Sequence, residues 1–348
     1  MQNRTGRSPL TKPKIAATTA LLTLLVLGSA CNLVRKRVET ERLLTPLSNA
    51  TTPDLVAAVN RMVNVRSLHG SVDIQFEDTS FATAGIAEKY RTADGSITIQ
   101  RPGKVYLIIR GPLAIDIAQM TSDGEHFRIA VFRGEDKYRR FIKGTNSAVY
   151  PKLEMDNPTS GTDKNNKSKS EAQTVSALSN LRPQHLTDAL LVNAIDPRGG
   201  GLLYTQSEFF ESEKDPAKSD SSKRVVRGYY LLDEIQPGTD NSARLLRRFW
   251  FDRVGGIRLA RLQSFDEKGA LVNDVSYGQL ARFGAEGNLD LPVKISITRP
   301  QDHYKITITY QDPPAVTLDK QYDPEVFVLI NRWDLPEVDL DAKKNTSP

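Results

Sequence analysis

The chain has 348 residues, 39% hydrophobic and 26% charged, with 22 Gly, 19 Pro and one Cys, a balance that excludes collagen, a disulfide scaffold and a chain disordered throughout. The formal net charge is +5, but Arg4, Arg7, Lys12 and Lys14 all precede position 31 and no acid does, so removing those four cations leaves +1. A nucleic-acid surface is excluded on that balance, because phosphate contacts need a basic face. One cysteine forms no internal bridge, and His69, His126, His185 and His303 lack metal-site spacing, so neither metal nor cofactor is expected.

The leader is basic to Lys14, apolar over the 13 residues Ile15 to Leu27, and then reads Gly28-Ser29-Ala30-Cys31. These are the three parts of a secretory signal peptide. At about 1.5 Å per residue the apolar run covers roughly 20 Å, short of a hydrocarbon core of about 30 Å; cleavage is expected, not a permanent span. Small residues before a lone cysteine resemble the bacterial lipobox, in which that cysteine receives a diacylglycerol. The resemblance makes Cys31 a lipidation site and holds the protein on a bilayer; Asn32 favours the outer membrane. Gly28 departs from the pattern, with Leu27 one residue early, and an ordinary signal peptide cleaved nearby is the alternative.

Residues 32–50 are charged without a clear apolar face and read as a tether. Thr51 or Thr52 can cap a helix with Pro53 and Asp54 in its first turn, and Leu55, Val59, Met62 and Val63 repeat at helical spacing. Strand patterns follow over Ser96–Gln100, Val105–Arg110, Leu113–Met120 and Phe127–Phe132, with spacers Arg101-Pro102-Gly103, Gly111-Pro112 and Ser122-Asp123-Gly124 that suit antiparallel hairpins. Residues 156–174 and 211–224 have little apolar content and read as disordered loops. Between them Arg182-Pro183 opens a second helix expected to run to about Ile195. Strand patterns resume over Tyr204–Phe210, Val225–Leu232, Leu245–Phe251, Ile257–Ser264, Ala270–Leu280, Val293–Arg299 and Tyr304–Tyr310, and 337–348 reads as a loose tail.

In the last pair Ile295 and Ile297 face Ile306, Ile308 and Tyr310 with polar residues between, giving one dry face and one wet. Val105 to Ile109 is apolar on both faces. A mainly β (α+β) fold accounts for both: a strongly curved antiparallel sheet, or incomplete barrel, of about a dozen strands with helices covering its concave face, as a single domain over residues 51–336. Few helices leave space over so many strands, so an apolar pocket is expected there. Strand phase nominates Ile97, Ile99, Val105, Leu107, Ile109, Ile115, Ile117, Phe127, Ile129, Phe249 and Phe251 as its lining; Phe249-Trp250-Phe251 reads equally as a strand buried on both faces.

Ser67-Leu68-His69-Gly70-Ser71, Gly95 to Val105 around Arg101-Pro102-Gly103, and Thr121-Ser122-Asp123-Gly124-Glu125-His126-Phe127 resemble, in order and spacing, the periplasmic lipoprotein carrier LolA and its outer-membrane receptor LolB. The resemblance is good over 55–132 and topological over 183–310. It implies an incomplete barrel lidded by helices over a cavity for lipoprotein acyl chains, and it implies that Arg101, the arginine of the Arg-Pro motif, hydrogen-bonds the lid from inside the sheet. A guanidinium with five donors suits exposed helix-end carbonyls; a solvent-facing arginine at a hairpin end is the other reading.

No Gly-x-Ser-x-Gly elbow is present, and Ser122-Asp123-Gly124 with His126 is a plain turn, so no enzyme is expected. The expected function is a monomeric, membrane-anchored periplasmic protein that holds an acyl chain, a lipoprotein cargo or another apolar ligand. The alternative is an envelope assembly lipoprotein acting through a protein partner.

Overall fold

Thr51 starts the first helix of the computed structural model, which describes residues 40–79, 88–89, 92–133, 136, 139–148, 150, 182–197, 199–218, 223–287 and 289–344. Its N–H and hydroxyl both donate to Asp54 Oδ2, at 2.8 and 2.7 Å, and Pro53 occupies the first turn, where an N–H has no helical partner. The helix, α1 (Thr52–Val63), buries Leu55, Val56, Ala58 and Val59. The leader, Cys31 and the loop 156–174 lie outside the described residues.

We label strands of three residues or more. The first half supplies β1 (Ser67–Asp78), β2 (Ala93–Gln100), β3 (Lys104–Arg110), β4 (Asp116–Asp123), β5 (His126–Val131) and β6 (Arg140–Thr145). The short helix α2 (Pro183–Leu190) precedes β7 (Leu203–Lys214), β8 (Arg224–Pro237), β9 (Ala243–Asp252), β10 (Arg258–Phe265) and β11 (Leu271–Tyr277). A separate hairpin, β12 (Leu280–Phe283) and β13 (Leu289–Pro292), leads to β14 (Lys294–Arg299), β15 (Tyr304–Tyr310), β16 (Glu337–Asp339) and α3 (Leu340–Lys344).

The pairings run β7-β8-β9-β10-β11-β14-β15-β1-β2-β3-β4-β5-β6-β16. Every pair is antiparallel except β6 with β16, and β15 with β1 joins the two halves. This is a large, curved, unclosed sheet in a mostly β protein, within a compact unit, Leu43–Pro348. Its turns follow backbone demands: Gly103 holds φ +65° between β2 and β3, and a Cβ there would lie 3.3 Å from Gly124 Cα in the neighbouring turn.

One face of the sheet buries alternate residues of nearly every strand together with α1 and α2 in a single core, including Val72, Leu107, Ile129, Ile297 and Ile306 with Leu55, Val59, Leu186 and Ala189. The other face of the first half is covered by the C-terminal segment: Leu335 and Leu329 pack on Ala130 and Phe141, Phe327 is fully buried, and Tyr322 N–H donates to Gln100 Oε1 at 2.8 Å. This explains why β3 is apolar on both faces. On the outer face of the second half, Trp250 is enclosed by Phe209, Tyr229 and Arg261 at 5.2, 5.6 and 5.0 Å. Asp252, 1% exposed, is paired with Arg227 and Arg258 at 2.8 and 2.6 Å, as a buried carboxylate needs paired cations.

Five expectations need correction. Residues 211–214 and 224 are not a disordered loop: Glu211–Lys214 continue β7 and pair with β8 from Arg224, because cross-strand pairing satisfies a backbone whose side chains stay in water. The tail is structured from 337 to 344, where β16 and α3 bury Leu340. Residues 44–49 of the tether are docked: Leu44 and Ser48 N–H donate to Val226 O and Arg253 O at 2.9 and 2.7 Å, and Arg253 stacks 4.2 Å over Tyr230 while holding Ser48 O. The Ala270–Leu280 strand breaks after Tyr277, Gly278 giving its N–H to Lys294 O. The second helix ends at Leu190, not near Ile195, and side chains take over the carbonyls that a longer helix would have paired.

Phe251→Ala removes a fully buried ring from this core. It is expected to cost about 3–5 kcal/mol, read as a lower denaturant midpoint at unchanged slope.

Candidate functional site

The chain after α2 leaves the helix at Leu191, with φ −121° and ψ 74°, and runs over the sheet as a strap from Leu191 to Ile195. Leu191, Val192 and Ile195 point into the core, whereas Asn193 and Ala194 are exposed. A strap outside helix and sheet has neither helical nor ladder partners for its carbonyls, so other groups must supply donors.

Side chains from four separate parts of the fold do so, for the strap and for the last turn of α2. Tyr277 on β11 donates its hydroxyl to Ala189 O at 3.0 Å. Arg101, in the turn after β2, donates through Nη1 to Leu191 O at 3.3 Å and through Nη2 to Val192 O at 3.0 Å. Its Nε donates to Val65 O at 2.9 Å, just past the end of α1, so one guanidinium ties both helix ends together. Arg247 on β9 reaches Asn193 O and Ala194 O at 3.3 and 3.4 Å. Asn60 on α1 closes the series, with Nδ2 to Ile195 O at 2.8 Å and Oδ1 accepting Ile195 N–H at 2.9 Å. Cations at helix C-terminal ends also meet the favourable end of the helix dipole. Burial lowers the Arg101 pKa from its ordinary value, yet a guanidinium stays charged.

The other end of α2 is fixed differently. Arg182 lies over Phe127 and Tyr150 at 5.2 and 5.3 Å. His185, buried on α2, shares a 2.7 Å hydrogen bond with Tyr304 OH. Burial holds His185 well below the ordinary histidine range, and Arg299 and Arg182 push it further down; burial likewise raises Tyr304.

Of the eleven residues nominated by strand phase, Ile97, Ile99, Val105, Leu107, Phe127, Ile129, Phe249 and Phe251 have no accessible surface and Ile109 has 3%; all nine share the core with the helices. A side chain lining a water-sized void would keep accessible surface, so beside these residues the expected pocket is filled by the helices and strap. Ile115 and Ile117 require correction. The register between β3 and β4 passes from Ile109↔Ala118 to Arg110↔Asp116, leaving Ile117 as the extra residue of a bulge, which inverts the phase. Ala118 and Met120 are the residues of β4 that join the apolar core instead. Ile117 packs partly against the core, while Ile115 is 43% exposed beside Leu113, which is 91% exposed with φ +65°.

Sequence reasoning singled out Arg101 alone among the strap donors. Arg247 carried a signal, since it shares the strand phase of Phe249 and Phe251 and so faces the core; Asn60 and Tyr277 carried none, because their partners are backbone atoms more than 80 residues away in sequence.

No protein-family model matches the sequence, and no curated protein matches it. Its structural neighbours are LolA-superfamily and DUF1329 proteins. The chain is similar to a DUF1329 family protein from Desulfovibrio piger, with TM-score 0.37 and 10% identity, covering 79% of this chain and 95% of that one. It is similar to an outer membrane lipoprotein-sorting protein domain from Vibrio parahaemolyticus, with TM-score 0.38 and 10% identity over 79% and 94%. A LolA superfamily protein from Nitrosomonas europaea is similar at TM-score 0.37 and 11% identity over 81% and 99%. Among the described residues no helix is long and apolar enough to cross a membrane, and no group of His, Cys, Asp and Glu could hold a metal ion.

Because the unfolded chain protonates its histidines near pH 6.5 while folded His185 stays neutral, acidification through that range favours unfolding. The stability lead of the wild type over His185→Gln is expected to shrink by up to about 2 kcal/mol from pH 7.5 to 5.0. Parallel melting-temperature profiles for the two proteins would contradict this.

Proposed function

We propose that the protein is a lipid-anchored, periplasm-facing carrier or receptor that takes an acyl chain, borne by a lipoprotein or a lipid, between the sheet and its helices. The observation that carries this reading is the strap: its carbonyls are held by side-chain hydrogen bonds over a largely apolar core. Arg101 acts in this reading as the lid latch. The leader and Cys31 supply the anchor, and the cell envelope is the location. The chemistry is displacement of apolar surface, with no bond made or broken.

Magnitudes permit the exchange. Lifting the helix and strap exposes Leu186, Leu191, Val192 and Ile195, at about 1.5–3 kcal/mol each. An entering chain of a dozen methylenes returns about 0.8 kcal/mol per CH2, roughly 10 kcal/mol in all. The two are of one size, so occupancy depends on the ligand and on the latch, not on a preformed cavity.

The closed core favours a second reading, an envelope assembly lipoprotein that works through a protein partner and never opens. Native mass spectrometry of protein gently extracted from membranes, followed by titration with a fluorescent fatty acid, separates the two. The carrier reading expects bound lipid or saturable uptake near one probe per chain, with faster uptake by Arg101→Lys, which keeps a charge but loses the fork. A chain that carries no lipid and takes up no probe, even as the Arg101 variant, contradicts it.

A further inference from the structure

We propose that Arg247, fixed by Glu234, is a second latch that ties the strap to the half of the sheet opposite Arg101; this rests on reading α2 and the strap as a movable lid. Glu234 on β8 stands directly across from Arg247 on β9 in the strand register. It is 3% exposed, and its two oxygens accept from Arg247 Nε at 2.8 Å and Nη2 at 2.6 Å. The second oxygen also accepts the Tyr204 hydroxyl at 3.0 Å. A carboxylate this deeply placed needs its cation, so the guanidinium is held in the sheet whatever the strap does. Arg247 also lies 5.0 Å over the Phe249 ring, which further limits its rotamers.

The two arginines differ in what opening leaves behind. The described hydrogen bonds of Arg101 all go to backbone carbonyls, at Val65, Leu191 and Val192, so release of the helices removes them. Arg247 keeps its ion pair with Glu234 and loses only the bonds to Asn193 O and Ala194 O, which are long at 3.3 and 3.4 Å and lie on exposed residues. Arg101 is therefore the stronger closure and Arg247 the pre-positioned one: its fork waits at a fixed place for two consecutive carbonyls as the strap returns. The lid is clasped from both halves of an unclosed sheet, and its free motion begins at residues 193–194, where the bonds are weakest.

The test is amide hydrogen exchange of the full chain without any ligand, read on peptides covering 189–195. Arg247→Ala is expected to raise exchange there about fivefold, leaving α1 and β3 unchanged. Arg247→Lys should do nearly the same, since an ammonium can pair with Glu234 but cannot also span two carbonyls. Arg101→Lys should raise it more. If Arg247→Ala loosens the whole sheet, the lysine variant, which keeps the buried ion pair, decides. Unchanged strap exchange in Arg247→Lys, with a rise in Arg101→Lys, would overturn the second latch. Failure of the carrier reading would show separately, as absence of probe uptake by the wild type.

Discussion

Backbone carbonyls that leave a helix above an apolar surface must find donors or pay the cost of burial unpaired, about 1–3 kcal/mol each. In this protein that requirement is met between Ala189 and Ile195 by a phenol, two guanidiniums and an amide drawn from α1, β9, β11 and the turn after β2. The rest of the architecture is arranged so that these donors converge. Two antiparallel halves, joined at β1 and β15, bring Arg101 and Arg247 to one strap although 146 positions separate them in sequence. A longer helix would have satisfied the same carbonyls internally and made the lid indifferent to the sheet.

The core beneath leaves no water-sized space beside its central residues. In the carrier reading we propose, helix and sheet take the place of a ligand, and a guest enters by exchange. That arrangement makes latch strength the adjustable quantity. A strap held by guanidiniums binds as firmly as charged hydrogen bonds allow, yet gives those bonds to water without leaving a buried orphan once it lifts. The charges on the outer face have a different role: Arg248 with Asp233 and Arg261 with Asp274 cover Trp250 and the second half of the sheet where no C-terminal segment does.

Much of this was legible in the sequence, for identifiable reasons. Ile295, Ile297, Ile306 and Ile308 alternate with polar residues because their strands have one dry face, and period-two alternation survives any change of partner. Thr51, Pro53 and Asp54 announced α1 through local chemistry alone. The failures were all non-local. The bulge at Ile117 depends on how β4 meets β3, and no property of Leu113–Met120 by itself reports it. The ladder of Glu211–Lys214 reads as polar and loop-like because its side chains face water while its backbone bonds to β8. Pairing of Glu337–Asp339 with β6 joins segments nearly 200 residues apart. Arg101 was reached through motif resemblance; Arg247 could have been reached through strand phase, by asking why a cation shares the face of Phe249 and Phe251.

In the carrier reading we propose, ligand and lid compete for one apolar face. The distance between spin labels on Asp188→Cys of α2 and Ser276→Cys of β11, both at exposed positions and with Cys31 replaced by Ser, tests it most directly when measured by pulsed electron resonance with and without a long-chain fatty acid. The account predicts one short distance in the free protein and a longer, broader distribution once the acyl chain is bound. A bound acyl chain with an unchanged label distance would contradict it.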